Sequence, residues 1–127
     1  MLINVLKCKL HRATVTDAQL HYHGSITIDR ELMDHANLKP FEKVLVVCLD
    51  SGERLETYVI EGKRKSGDII LNGAAARKIL KGDKIIIMAF AIIDESDCKD
   101  HKPVIVMVDE NNRITGEKNE LQKDDEC

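Results

Sequence analysis

Apolar residues in this chain fall in short runs rich in β-branched side chains, broken by glycines and charged positions. Leu45-Val46-Val47, Ile85 through Ile93 and Val104 through Val108 are the clearest. Such side chains suit pleated, buried strands. Thr57 to Ile60 and Asp68 to Leu71 predict two more strands, bounded by Gly52, Gly62, Gly67 and Gly73. The first fifteen residues mix apolar and basic positions and predict another. Gly24 marks a turn that leads into a strand from Ser25 to Ile28.

Helical spacing occurs twice. Asp29 is placed to cap a helix from Arg30 to Asn37, with Leu32, Met33 and Ala36 on one face and Pro40 beyond its end. Ala74 to Leu80 predicts a second helix that stops before Gly82. There is no internal repeat, low-complexity linker or domain boundary, so residues 1–127 read as a single domain. Many short strands in so small a chain predict a mainly β fold, a small closed or nearly closed barrel with short helices.

Composition narrows the function. Hydrophobic residues make up 43% and charged residues 32%, the balance of a soluble globular protein. Aromatics are only 3%, which argues against a nucleic-acid platform that stacks bases on rings. A net charge of -3 gives no general attraction to phosphate polymers or anionic membranes, so an anionic ligand needs a local cationic site. Residues from about 109 to 127, ending in the acid-rich stretch Gly116–Cys127, read as a solvated C-terminal tail. Cys8, Cys48, Cys98 and Cys127 form no CxxC pair and fit free thiols in a reducing compartment. The apolar start is too short for a signal peptide and no run approaches a membrane helix, so the expected location is cytoplasmic.

Four segments carry candidate chemistry. In His21-Tyr22-His23-Gly24-Ser25, the plain reading of Gly24-Ser25 is a turn entering a strand. On a strand, His21 and His23 would point the same way and could share a metal, with His11 or a distant carboxylate as third ligand. In Arg54-Leu55-Glu56-Thr57-Tyr58, an ordinary half-exposed strand would still present Arg54, Glu56 and Tyr58 on one face. There Arg54 could grip a carboxylate and Tyr58 could donate a proton. Asn72-Gly73-Ala74-Ala75 is either a turn before a packing helix or a set of free N–H groups that a ligand can approach closely. Lys9-Leu10-His11-Arg12 supplies positive charge, either solvated or functional.

Taken together and in order, these strings resemble the pyruvoyl-dependent aspartate 1-decarboxylases. The resemblance rests on Lys9 through Thr16, Leu20 through Ile28 with Tyr22-His23-Gly24-Ser25 at its centre, Gly52 through Ile60, Asn72 through Ala76, and Gly82-Asp83. It covers roughly residues 1–108. His23 departs from the acidic residue common before the Gly-Ser pair.

The resemblance implies a double-psi β-barrel that assembles as a homotetramer, with active sites between subunits. It implies self-cleavage between Gly24 and Ser25 into a β chain, 1–24, and an α chain, 25–127, with Ser25 converted to a covalent pyruvoyl cofactor. Thr57 and Asn72 then serve self-processing at the Gly24 carbonyl. Tyr58 is the proton donor in turnover. Lys9, Arg54, Thr57 and the backbone of Gly73, Ala74 and Ala75 contact substrate. The implied reaction takes L-aspartate to β-alanine and CO2 through a Schiff base with the pyruvoyl group, supplying pantothenate and coenzyme A synthesis, without a metal, nucleic acid or membrane. Whether cleavage is spontaneous or needs a helper protein stays open. The rival readings are a non-enzymatic double-psi barrel domain that binds a ligand or partner, and a metal-dependent enzyme built on His11, His21 and His23.

Overall fold

Thirteen residues at the start of the chain form the longest strand, β1 (Leu2–Thr14). The computed structural model describes residues 1–118. After β1 come β2 (Asp17–Gln19), β3 (Ser25–Asp29), helix α1 (Arg30–Ala36), β4 (Lys43–Cys48), β5 (Arg54–Gly62) and β6 (Ile69–Asn72). A 3-10 helix over Gly73–Arg77 leads to β7 (Lys84–Asp94). A second 3-10 helix over Glu95–Asp100 precedes β8 (Val104–Val108) and β9 (Ile114–Lys118).

The strands make one mixed sheet in the order β2-β6-β3-β5-β4-β7-β1-β8-β9. Three of its pairings are parallel, β1 with β8, β2 with β6 and β3 with β5. The sheet curls into a small barrel around a core of aliphatic side chains, among them Leu10, Ile26, Val46, Val59, Leu71 and Ile87. Period-two patterning explains who faces in. On β4, Val44, Val46 and Cys48 are buried while Lys43 is exposed. On β7, Ile85, Ile87 and Ala89 are buried and Phe90 and Ile92 face out.

Long strands curl where a residue is added to one side of a ladder. The β1–β7 register shifts between Leu6 and Cys8 and again between Leu10 and Ala13, where Arg12 has φ 61°. A buried polar staple then joins distant parts of the sheet. Asn112, in the turn between β8 and β9, accepts from Thr14 N at 2.8 Å and donates to Thr14 O and Gly67 O, each at 2.8 Å.

Helix α1 lies within a residue of its expected bounds. The Asp29 carboxylate caps it by accepting from Glu31 N at 2.8 Å, and Asn37 ends it in the left-handed conformation at φ 61°. Asp29 is fully buried and also accepts from Lys65 N and Gly67 N, each at 2.8 Å, so it fixes the β5–β6 loop as well.

Three expectations are corrected. The segment read as a helix from Ala74 to Leu80 is instead the 3-10 turn Gly73–Arg77, in which Lys78 N donates to Ala75 O. It starts from Gly73 at φ 70°, outside the right-handed helical region, and closes with the short i to i+3 bond of a 3-10 turn. Residues 109–118, read as part of a solvated tail, form a turn and β9, whose Glu117 lies opposite Val106. Charge hid a half-buried alternation there. His21 and His23 do not share a strand face, because residues 20–24 form a turn and loop before β3. The rest of the tail reading, and the free thiol at Cys127, lie outside the described residues. Among those residues no helix is long and apolar enough to cross a membrane.

Candidate active site

The β3–β6 ladder places Ser25 directly opposite Asn72. The parallel β3–β5 ladder sets Ile26 beside Val59, which brings Thr57 and Tyr58 to the same end of β3. Three segments far apart in sequence thus converge on one peptide bond, Gly24–Ser25.

Ser25 is fully buried, with no exposed surface. Its hydroxyl donates to His23 O at 3.1 Å and accepts from Asn72 Nδ2 at 3.0 Å. The same Asn72 amide donates to Thr27 Oγ1 at 2.9 Å, and Asn72 is itself buried. A buried amide with two hydroxyl partners holds its orientation firmly, since each unmade bond would leave a desolvated donor. The Ser25 hydroxyl is therefore aimed by its neighbours rather than free to rotate in solvent.

Gly73 supports the bond from the other side. At φ 70°, a Cβ built on Gly73 would lie 2.8 Å from Gly24 Cα, 2.9 Å from Gly24 N and 2.9 Å from Tyr22 O. Only a residue without a side chain permits this approach. Gly24 itself has open space where a Cβ would point.

A cavity of about 420 Å³ opens beside this bond. Its wall includes Gly24, Ser25, Thr57, Tyr58, Asn72, Ala74 and Ala75, all expected from the sequence. Tyr58 is 36% exposed and packs against the Phe41 ring at a centroid distance of 6.4 Å. Gly73 lies behind the wall, against Gly24.

Lys9 and Arg54 are not part of that wall. Arg54 sits exposed at the start of β5. Lys9 is buried on β1, in a lateral row with Met88, Leu45 and Glu56 on successive strands. Three strand spacings separate it from Glu56, about 14 Å along the sheet.

Leu55, Glu56 and Lys78 also line the cavity, and the sequence assigns none of them a role. Helical spacing carried a signal for Lys78, which follows Ala74 by four residues and Ala75 by three. Glu56 is paired with Lys43 Nζ at 2.8 Å, and Lys78 Nζ with Glu53 Oε2 at 3.3 Å.

Other chemistries find less support. The described residues hold one grouping of metal-ligand donors, Cys48 with Asp50 and Asp83, and it contains none of His11, His21 or His23. His11 is buried on β1, whereas His23 lies in the loop with its ring edge-on to Tyr22 at 5.8 Å. Burial pushes the Cys8 thiol up to about 11, so it is no nucleophile near neutral pH.

The family model for aspartate decarboxylase matches residues 1–115, a span that includes the whole cavity wall. An aspartate 1-decarboxylase of Caldicellulosiruptor saccharolyticus is 60% identical over 114 residues, covering 90% of this chain and 89% of the relative. One from Clostridium kluyveri is 56% identical over 114 residues, covering 90% of each. One from Dehalococcoides mccartyi is 58% identical over 115 residues, covering 91% of this chain and 93% of the relative.

Proposed function

Since this chain belongs to the aspartate decarboxylase family, we propose that it converts L-aspartate to β-alanine and CO2, using a pyruvoyl group made from its own Ser25. The observation that carries the reading is the buried Ser25 hydroxyl, held between Asn72 Nδ2 and His23 O at the edge of the cavity. A serine kept out of water and oriented beside a glycine carbonyl suits an intramolecular acyl shift better than it suits solvent contact.

In the maturation step Ser25 Oγ bonds to the Gly24 carbonyl carbon, and the Gly24–Ser25 amide becomes an ester. Asn72 and Thr57, both in the cavity wall, hold the carbonyl region. Loss of the Ser25 α-proton with cleavage of its Cβ–O bond frees the Gly24 carboxylate and leaves dehydroalanine. Water then replaces the nitrogen, which leaves as ammonia, and residue 25 becomes the pyruvoyl group. The donor set fits such a group, because Asn72 presents an amide N–H to the residue 25 side chain and the cavity beyond is open.

When present, that group supplies a ketone that takes the substrate amine covalently and a conjugated carbonyl that accepts the electron pair released with CO2. Tyr58 returns the proton to the substrate carbon from the cavity wall. Thr57 and the backbone of Gly73, Ala74 and Ala75 fix the substrate. Arg54 and Lys9, outside the cavity of a single chain, bind substrate carboxylates at sites completed between the subunits of a homotetramer. The product is a precursor suited to pantothenate synthesis in the cytoplasm, and a helper protein can assist the cleavage.

Denaturing mass spectrometry tests the reading directly. An aged preparation is expected to show fragments 1–24 and 25–127 in place of a 14.3 kDa species. The larger fragment should react with a carbonyl reagent, and the protein should form β-alanine. Ser25→Ala should stay whole and inactive. A wild-type chain that remains intact and makes no β-alanine overturns the proposal.

A further inference from the structure

Among the residues lining the cavity, Lys78 is the one that carries a positive charge. It follows the 3-10 turn and its backbone N–H donates to Ala75 O at 3.1 Å, so its main chain is tied to the segment that forms the wall. Its side chain is 57% exposed, and its ammonium meets Glu53 Oε2 at 3.3 Å. The other formal charge in the wall, Glu56, is already matched by Lys43 at 2.8 Å.

We propose that Lys78 is a specificity-determining residue that attracts and holds an anionic substrate's carboxylate at the cavity mouth, with Glu53 as its resting partner. The proposal rests on the decarboxylase reading above and adds to it a residue that faces the same cavity. An exposed ion pair is weak, and an incoming carboxylate can compete with Glu53 for the ammonium. The four-carbon lysine stem is flexible, so its ammonium can turn from one partner to the other. In a chain with net charge -3, a cation beside the reaction centre also offsets repulsion of a substrate carrying two carboxylates.

The experiment compares fully cleaved wild-type enzyme with Lys78→Gln, Lys78→Arg and Glu53→Gln. Lys78→Gln should cleave normally, keep its kcat and raise KM for L-aspartate about two- to fivefold, the range for one exposed charge. The fall of kcat/KM with added salt should flatten in the same variant. Lys78→Arg should restore both, and Glu53→Gln should lower KM by freeing the ammonium. An unchanged KM and salt slope in Lys78→Gln, with an active wild type, overturns this assignment alone. So does a loss of kcat at constant KM, which would mean that the residue acts in the transition state and not in substrate capture. A wild type that produces no β-alanine instead overturns the decarboxylase reading beneath it.

Discussion

Gly73 lies so close to Gly24 that a Cβ on one would fall 2.8 Å from the Cα of the other. Backbone therefore packs directly on backbone beneath the Gly24–Ser25 bond. A methyl group at residue 73 must push the loop away, and it would also sit at an unfavourable φ of 70°. Gly73→Ala is expected to fold but to cleave far more slowly, because the Ser25 hydroxyl and the Gly24 carbonyl lose their mutual placement. A time course of intact chain by denaturing mass spectrometry measures this. Cleavage at the wild-type rate would show that the contact does not set the geometry.

In the proposed mechanism, Tyr58 separates formation of the pyruvoyl group from its use. Its side chain lines the cavity but makes no hydrogen bond with Ser25, whose polar partners are His23 and Asn72. Tyr58→Phe should cleave normally and lose turnover by about a hundredfold or more, the usual contribution of a positioned proton donor. Parallel assays of chain cleavage and β-alanine formation check the split. Loss of cleavage would assign the hydroxyl to maturation.

Asp29 ties three backbone donors, Glu31 N, Lys65 N and Gly67 N, each at 2.8 Å, to one buried carboxylate. Asp29→Ala strands all three and removes the cap of α1, at a cost of about 3 kcal/mol. Urea unfolding should show a lower midpoint with an unchanged slope. A shift smaller than that of an ordinary surface substitution would mean that water replaces the carboxylate fully.

His35 provides a pH handle remote from the cavity. Its ring contacts Glu117 of β9 through Nδ1 and Glu31 of α1 through Nε2, the latter at 3.4 Å. Arg64, from the β5–β6 loop, meets Glu31 at 3.1 Å and Asp34 at 2.6 Å on the same surface. The hydrogen bond with Glu117 is the main cause that holds the imidazole above its ordinary value of 6.5. A raised folded value means the stabilisation is complete below about 6.5 and fades as pH rises through the folded value. His35 is 42% exposed, so solvent screening keeps the effect small. The stability gap between wild type and His35→Gln should shrink from pH 5.5 to pH 8.5, as read by urea unfolding. A gap that widened with pH would contradict this sign.

Much of this architecture was legible in the chain because long apolar runs have few alternatives. Ile85 to Ile93 becomes most of β7, and Val104 to Val108 becomes β8 without change. Asp29 and Asn37 mark α1 through cap chemistry that depends only on near neighbours. Short polar strands were hidden. Asp17–Gln19 has three residues and no apolar alternation, and β9 carries its charges on a half-buried ribbon. The Ser25–Asn72 contact spans 47 positions, which no local periodicity encodes. Family-like strings named both residues, and the β3–β6 register explains why they meet. Lys9 and Arg54 were named in the same way, yet a single chain leaves both outside the cavity.

The place of β1 in the strand order has a consequence for a nicked protein. β1 is an interior strand, antiparallel to β7 along nearly its whole length and parallel to β8 from Cys8 to His11. β2 adds a further parallel pairing to β6. A cut after Gly24 therefore divides the covalent chain without opening any seam of the barrel. After such a cut the small fragment would stay woven through the larger one, so two molecules by mass would behave as one body. What the proposed nick would release is not a subunit but a chain end, beside the cavity wall that Gly24 and Ser25 form.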